Sequence, residues 1–232
     1  PTPFQPQTKA DLQTAVNLWV SDQASALSQY GDINTWDVSL ITDMSDIFRD
    51  KISFNDDISS WDVSNVTNMD NLFRNATSFS QDLTNWDVSN VTSMSGTFRS
   101  MTNFNGDISS WDVSNVTNMN NMFKNATTFN QPLKNWNVIN ANNMNGMFSG
   151  TSSFNQPDIR YWDISSDTTN MFLGSDMSSN TGINADNGYD STHGSWFYKQ
   201  LTNNTIQDAA NNWGNFTESG HPVYTNGDGS QG

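Results

Sequence analysis

The sequence predicts an α/β solenoid, in which six coils of about 25 residues, each with a short strand and a short helix, form a right-handed stack with helical caps. Three observations predict this class: a strict repeat, an apolar pattern that fits a strand and then a helix, and a surface of small polar residues. The tryptophans recur every 25 residues, as Trp36, Trp61, Trp86, Trp111 and Trp136, and Trp162 follows after 26. Three further columns keep this period: Phe48, Phe73, Phe98, Phe123 and Phe148; Phe54, Phe79, Phe104, Phe129 and Phe154; Met44, Met69, Met94, Met119 and Met144.

The first half of each coil has the pattern of a strand. In the second coil the apolar residues have the spacing that opens a leucine-rich repeat, L-x-x-L-x-L-x-x-N, so the solenoid is expected to be leucine-rich-repeat-like. These residues are Ile58, Trp61, Val63 and Val66. Trp61 and Val63 alternate with Asp62 and Ser64, which indicates a short strand with one apolar and one polar side.

The second half of each coil has helical spacing. Met69, Leu72, Phe73 and Ala76 recur at spacings of three and four, which indicates one or two helical turns. A single coil has too little apolar surface to fold alone, so stacking has to join these strips into one core.

The chain divides into three predicted segments. Residues 1–30 hold a linker and an N-terminal capping helix, residues 31–175 the repeats, and residues 176–232 a closing loop, a second cap-like helix and a flexible tail. The first helix is predicted over residues 8–20, with a capping box from Thr8 to Asp11 and an apolar face of Leu12, Ala15, Val16 and Trp19. The second repeats that face 194 residues later, with Ile206, Ala209, Ala210 and Trp213. Tandem recurrence of the whole unit and two similar caps on one domain both explain this offset.

Composition excludes several classes of partner. The net charge is −15, with only nine Lys and Arg residues, which argues against nucleic acid and anionic membrane surfaces. No apolar run approaches the roughly 20 residues of a membrane span, so no membrane insertion within this chain is expected. Charged residues make up only 14% of the chain, so Asn, Ser, Thr and Asp have to supply the polar surface.

One repeat unit also carries a family resemblance. The pattern Phe-Asn-x-Asp-Ile-Ser-x-Trp-Asp-Val-Ser-Asn-Val-Thr-Asn-Met-x-x-Met-Phe, clearest at residues 104–123, resembles the BspA-like leucine-rich-repeat surface proteins, including the bacterial surface protein repeats of mycoplasma-type lipoproteins. The resemblance covers roughly residues 8–172. It implies a right-handed α/β solenoid on a cell surface with a role in adhesion, and it supplies no catalytic residues.

Two columns of aspartates run along the coils. The first is Asp32, Asp57, Asp82, Asp107 and Asp158, and the second is Asp37, Asp62, Asp87, Asp112 and Asp163. Stacking brings equivalent residues to about 4.8 Å, where two like charges repel by about 0.9 kcal/mol in water. Three explanations for how this repulsion is offset stay open: capping of backbone N–H groups in Asx turns, bridging by Ca²⁺ or Mg²⁺, or an exposed column that binds a ligand.

The second column is the better candidate for a binding face, because it lies opposite to the apolar side of the predicted strand. With the neighbouring serines, this face consists of Asp37, Asp62, Asp87, Asp112, Asp163, Ser39, Ser64, Ser89 and Ser114. The first column supplies the candidate metal ligands Asp32, Asp57, Asp82 and Asp107. No cofactor is required, and Ca²⁺ is the candidate cation.

Three further features recur. A basic column is expected to pair with aspartates of neighbouring coils: Arg49, Arg74, Arg99 and Lys124. An asparagine column is expected to form a buried ladder that satisfies the backbone of the turns: Asn65, Asn90, Asn115 and Asn140. Asn75 and Asn125 are the favoured glycan acceptors if the source glycosylates asparagine, because they lie two coils apart.

No pattern in the chain predicts an enzyme. It has no cysteine, no phosphate-binding loop and no nucleophile elbow, and its carboxylates recur from coil to coil, whereas catalysis needs one distinct site. The expected function is a non-catalytic binding or adhesion module, extracellular or on a cell surface, that presents a repetitive acidic strand face to a protein or glycan. The alternative is a building block of an extracellular fibre or coat, in which tandem units bind copies of themselves.

Overall fold

The computed structural model describes residues 2–156, 159, 162, 164 and 168–175. The named helices are α1 (Lys9–Ser21), α2 (Gln23–Tyr30) and a short 3₁₀ helix (Ile33–Thr35). After the 3₁₀ helix the described chain consists of tight turns, and equivalent turns are joined by single parallel bridges, such as that between Asp43 and Asn68. The predicted second cap-like helix lies outside the described residues.

Helix α1 confirms the predicted helix, with its capping box and its apolar face. The Thr8 side chain accepts the Asp11 N–H, and the Thr8 N–H donates to the Asp11 carboxylate at 2.9 Å, which completes the capping box. The four predicted apolar residues are buried: Leu12, Ala15, Val16 and Trp19. Gln13 donates to the carbonyl of Ile47 at 3.0 Å, so the helix covers the first repeat, as a cap has to do.

Aromatic ladders form the core of the stack. The rings of Phe48 and Phe73 lie 5.3 Å apart and those of Phe98 and Phe123 lie 5.4 Å apart, nearly parallel in both pairs. A second ladder through Phe79, Phe104 and Phe129 runs beside the first, with centroid distances of 6.4 and 6.1 Å. All of these rings are buried, and stacking at such distances adds to the stabilisation from burial alone.

The buried tryptophans link each repeat to the one before it. The indole N–H of Trp61 donates to the carbonyl of Ile33 at 2.8 Å, and that of Trp86 donates to the carbonyl of Ile58 at 3.1 Å. The same bond recurs at Trp111, Trp136 and Trp162. A buried indole N–H needs an acceptor, so this column fixes the register of the repeats as well as filling the core.

The prediction of an α/β solenoid with a strand and a helix in each coil is wrong. The described residues contain no strand, and within the repeats they contain no α-helix, only 3₁₀ structure at Ile33–Thr35 and at Ile159. The expected strand fails because the chain turns too soon: the Asp62 carboxylate accepts the Ser64 N–H at 3.0 Å, and the Val66 N–H donates to the Val63 carbonyl at 2.9 Å. Only a few extended residues separate one turn from the next.

The expected helix fails because half of its backbone donors point to the next repeat. The N–H groups of Met69 and Asn71 donate to the carbonyls of Ser93 and Ser95 at 2.9 and 2.8 Å. An α-helix would direct these donors to the residue four positions earlier. Leu72, which lies between the donors Asn71 and Phe73, instead donates to Met69, three positions back, at 3.1 Å. Consecutive turns thus bury apolar residues spaced by three and four, as a helix would.

Left-handed residues make these turns possible. Two positions in each repeat have a positive φ, such as 54° at Asn71 and 60° at Asn75. The two columns are Asp46, Asn71, Gly96, Asn121, Gly146 and Asn170, and Asp50, Asn75, Ser100, Asn125, Gly150 and Gly174. Gly, Asn and Asp tolerate this conformation best, and Ser100 is the exception among these twelve positions.

Replacing Gly96 with alanine should destabilise the stack. The new Cβ would lie 2.7 Å from Oδ1 of Asn71, at a φ of +62°. Strain at such a position costs about 1–3 kcal/mol, and the clash adds to it, so we expect a loss of about 2–4 kcal/mol in the free energy of unfolding, measured by urea denaturation. Adding Asn71→Gly removes the clash but not the φ strain and should restore part of the loss. A cost below about 0.5 kcal/mol for Gly96→Ala would contradict this close packing.

Candidate binding face

The structure places the predicted acidic face on turns rather than on strands. Asp62, Asp87 and Asp112 are exposed, and the serines two residues beyond them are half-buried. Asp37 and Ser39, in the first repeat, are both half-buried. Asp163 lies outside the described residues. Four of the five predicted aspartates therefore occupy equivalent positions in consecutive repeats.

Each of these four carboxylates holds an Asx turn. Oδ1 accepts the N–H of the serine two residues on, at 3.1 Å for Asp37 and at 3.0 Å for Asp62, Asp87 and Asp112. The Ser64 hydroxyl also donates to Asp62 at 2.6 Å. Oδ2 of Asp37 accepts a bond from Gln5 at 2.6 Å, whereas Oδ2 of the other three has no side-chain partner in the described part of the chain. The turn therefore fixes the carboxylate and leaves one oxygen for a ligand.

The first aspartate column has the same local structure. Asp57, Asp82 and Asp107 accept the N–H of the residue two positions on at 2.9, 2.8 and 2.9 Å, and Asp32 accepts that of Asn34 at 3.2 Å. Asp158 lies outside the described residues. Within the described part of the chain, no group of three His, Cys, Asp or Glu residues is placed to hold a metal ion. Every described aspartate of both columns thus forms an Asx turn.

Hydrogen bonds, rather than charge repulsion, dominate the electrostatics of the columns. The hydroxyl and N–H of the Ser or Thr two positions on hold the pKa below its ordinary value at several positions: Asp37, Asp82, Asp87, Asp107 and Asp112. At Asp57 the Ser59 N–H is the largest cause of the lowered pKa, and the charge of Asp82 opposes it only weakly. At these six positions, hydrogen bonds within the turn therefore outweigh the repulsion between repeats.

Asparagines beside the acidic face tie neighbouring repeats together. The amide of Asn65 donates to the carbonyl of Ser39 at 2.9 Å, and that of Asn90 donates to the carbonyl of Ser64 at 2.8 Å. Asn115 and Asn140 repeat this bond. The predicted role of the column is confirmed, but all four side chains are exposed rather than buried. The ladder lies beside the carboxylates and holds their spacing.

The basic column pairs with aspartate only in the first repeat. Arg49 contacts Asp46 at 3.2 Å and Asp50 at 3.4 Å, both within its own repeat. Arg74, Arg99 and Lys124 form no ion pair with any described residue. The expectation of pairing between neighbouring coils is therefore wrong.

The left-handed columns explain the difference. In the first repeat both left-handed positions that flank the cation hold aspartate, whereas in the next three repeats they hold neutral residues. The Nε of Arg74 is buried without a hydrogen-bond partner. Burial, followed by the charges of Arg74 and Arg49, lowers the pKa of the Arg99 guanidinium. Sequence reasoning missed this unpaired cluster because the neutral residues that cause it were not recognised as turn positions.

The two favoured glycan acceptors differ in exposure. Asn125 is exposed, whereas Asn75 is half-buried and its amide donates to Asp50 at 2.6 Å. A cleft of about 550 Å³ also lies where α1 and α2 meet the first repeats, lined by residues that include Trp19, Leu27 and Asp56. The indole N–H of Trp19 is bound to Asp56 at 3.0 Å, so part of the polar lining is already satisfied.

The stacked turns define a repeat protein, and comparison with known sequences places it in a family. Residues 18–106 and 81–186 each match DUF285, described as a Mycoplasma protein of unknown function. These matches span more than half of the chain, so the chain belongs to this family. The chain matches no curated protein and no solved structure. Within the described residues, no helix is both long and apolar enough to cross a bilayer.

Acid should destabilise the stack through the aspartate columns. A carboxyl group whose pKa is lowered on folding contributes stability above its unfolded pKa of about 3.9, and this contribution is lost as the pH falls through the folded value. We therefore expect the urea midpoint to be constant from pH 7 to about 5 and to fall below about pH 4. Asp57→Asn, Asp82→Asn and Asp107→Asn together keep the N–H acceptors but remove three titrating groups, so the fall should be shallower. A midpoint that rises on acidification would show that repulsion, not hydrogen bonding, dominates.

Proposed function

We propose that this chain is a non-catalytic binding or adhesion module, extracellular or on a cell surface, whose acidic face binds a protein or a glycan. The supporting observation is the regular row of exposed carboxylates at Asp62, Asp87 and Asp112, each oriented by an Asx turn and each with one oxygen free. The resemblance of the repeat unit to BspA-like surface proteins supports this role and location, and membership of the Mycoplasma family is consistent with it.

The fixed geometry of the carboxylates favours recognition. A side chain that is already held by its own turn loses little conformational entropy when it binds a partner. The stacked repeats set the spacing, because Asn90 and Asn115 bind the backbone of the preceding repeat on the same face. The partner is therefore expected to present cations or hydrogen-bond donors at a comparable spacing.

The number of contacts has to provide the affinity. An exposed ion pair contributes only about 0.2–1 kcal/mol, so a single aspartate would bind almost nothing. Several equivalent contacts on one rigid surface act together, and avidity can exceed the affinity of each one by orders of magnitude. An array of carboxylates on a surface suits such multivalent binding better than a single pocket does.

The similarity of the carboxylates supports the non-catalytic part of the proposal. General acid–base catalysis uses groups whose environments push their pKa values apart. In the described columns the resolved shifts all lower the pKa, through bonds from the residue two positions on. Such a row suits repeated binding rather than one reaction centre.

Binding should depend on one aspartate column and not on the other. The purified chain is tested by biolayer interferometry against immobilised extracellular-matrix glycoproteins and a panel of neutral, amino-sugar and anionic glycans. We expect Asp62→Asn, Asp87→Asn and Asp112→Asn together to weaken any observed binding at least tenfold, because the charges are lost while the turns remain.

The matched control carries the same changes in the first column, Asp57→Asn, Asp82→Asn and Asp107→Asn, and should bind within about twofold of the wild-type chain. Equal losses in both triple variants would indicate a general charge effect and would contradict a specific face. Absence of binding to the whole panel would contradict the proposed function for these partner classes.

A further inference from the structure

Three unpaired cations form an unusual cluster on this acidic chain. Arg74, Arg99 and Lys124 occupy equivalent positions in consecutive repeats and form no ion pair with any described residue. Arg49, at the same position in the first repeat, is held by Asp46 and Asp50. The chain has 24 acidic residues but only nine Lys and Arg, so a carboxylate is available for every cation. Three neighbouring cations without an ion pair therefore point to a partner outside the chain.

The basic column and the second acidic column coincide over four consecutive repeats. Both run through the same four repeats, with Arg49 to Lys124 in one and Asp37 to Asp112 in the other. Both are interrupted at the repeat around Trp136, where Asn137 replaces the aspartate and Ser149 replaces the cation, and the acidic column resumes at Asp163, outside the described residues. Both also have the same spacing, because each contributes one residue to each repeat of the same stack.

The two columns do not neutralise each other within one chain. The described ion pairs are those of Lys9 with Asp43 and of Arg49 with Asp46 and Asp50, and none joins the basic column to Asp62, Asp87 or Asp112. In both columns the end repeat is engaged: Arg49 by its ion pairs and Asp37 by Gln5. In the second to fourth repeats each column therefore has three members without an ion pair to any described residue, the aspartates exposed and the cations half-buried.

We propose that the basic column of one copy, Arg74, Arg99 and Lys124, binds the acidic column of a second copy, Asp62, Asp87 and Asp112, with the repeats of the two copies side by side and in register. This inference rests on the proposed function, since it uses the acidic face as a recognition surface, and it names a second copy as the partner. A contact between two different surfaces of identical chains leaves a free surface at each end of the pair. Further copies can therefore add, and the outermost copy still presents its acidic face.

A second copy fits the basic column better than an unrelated polyanion does. Its carboxylates have the same spacing as the cations, because both columns contribute one residue to each repeat, and Asx turns hold the carboxylates in one orientation. A second copy and an unrelated polyanion are both repelled by the net charge of −15 on the chain. Near 0.15 M salt the screening length is about 8 Å, so long-range repulsion is weakened while contacting pairs persist. At about 1 M salt the length falls to about 3 Å, and the pairs should weaken as well.

Sedimentation equilibrium with complementary variants tests the proposal. One variant lacks the cations, Arg74→Gln with Arg99→Gln and Lys124→Gln, and the other lacks the acids, Asp62→Asn with Asp87→Asn and Asp112→Asn. At 0.15 M salt the wild-type chain should associate beyond the dimer as its concentration rises. Each variant alone should associate at least tenfold more weakly, and an equimolar mixture should regain association that stops at a one-to-one pair, because each variant keeps one column.

Matched controls separate this contact from a general charge effect. Arg49→Gln changes a cation already paired within its own repeat, and Asp57→Asn with Asp82→Asn and Asp107→Asn changes three aspartates of the other column. Both controls should associate like the wild-type chain. Urea midpoints for every variant show that a loss of association is not a loss of folding.

Three outcomes overturn the proposal. A wild-type chain that stays monomeric up to millimolar concentration excludes a second copy as the partner, and binding to the glycoprotein and glycan panel then still decides the proposed function. Association that the acid-free variant retains in full means that the cations bind elsewhere. Heparin, used as a linear polyanion probe, replaces a second copy as the partner if it binds the wild-type and acid-free chains but not the cation-free one, and no self-association occurs.

Discussion

The division of backbone hydrogen bonds between a turn and the next repeat is the constraint on which the rest of this structure depends. Along residues 69–75, alternate N–H groups donate to the following repeat, and those between them close turns within their own repeat. Neither a helix nor a conventional strand can form under this pattern, since each would use these donors differently. Every repeat is therefore incomplete without its neighbours, and the aromatic ladders gain their burial only once that backbone contact exists.

The acidic surface is a consequence of the same series of turns. A chain that turns every few residues has to satisfy many N–H groups without a helix or a sheet, and aspartate and asparagine side chains do so locally. Asp57, Asp62 and Asn68 each accept the N–H of the residue two positions on within a single repeat. Much of the negative charge thus has a structural origin, and the surface available for recognition is a consequence of how the backbone is satisfied.

Local signals were sufficient to predict some elements and not others. Helix α1 was predictable because its capping box and its apolar face lie within one short segment. The repeat period and the buried columns were also predictable, since stacking places identical residues over one another. The class of the fold was not, because apolar residues at intervals of three and four suit a series of turns as well as a helix. The signal that separates the two was present at Asn71, Asn75 and Gly96, where residue types that tolerate a positive φ recur four residues apart or in the next repeat.

The candidate face was only partly predictable for the same reason. Asx turns were one of three explanations for the aspartate columns, and the spacing from Asp62 to Ser64 favours them without any knowledge of the stack. Pairing of the cations depends instead on which residues occupy the left-handed positions beside them. Asp46 and Asp50 hold Arg49, and the neutral residues at those positions in the later repeats leave their cations free.

The left-handed column that contains Gly96 has a consequence for how such a chain lengthens over evolution. Asparagine and glycine alternate along it from Asn71 to Asn170, and Oδ1 of Asn71 and of Asn121 occupies the space in which the following glycine would carry a Cβ. Duplication of a single repeat would set two asparagines or two glycines next to each other and would break the alternation. Duplication of a pair of repeats preserves the alternation, so growth by 50 residues at a time keeps every Asn–Gly contact, although the structural period is 25.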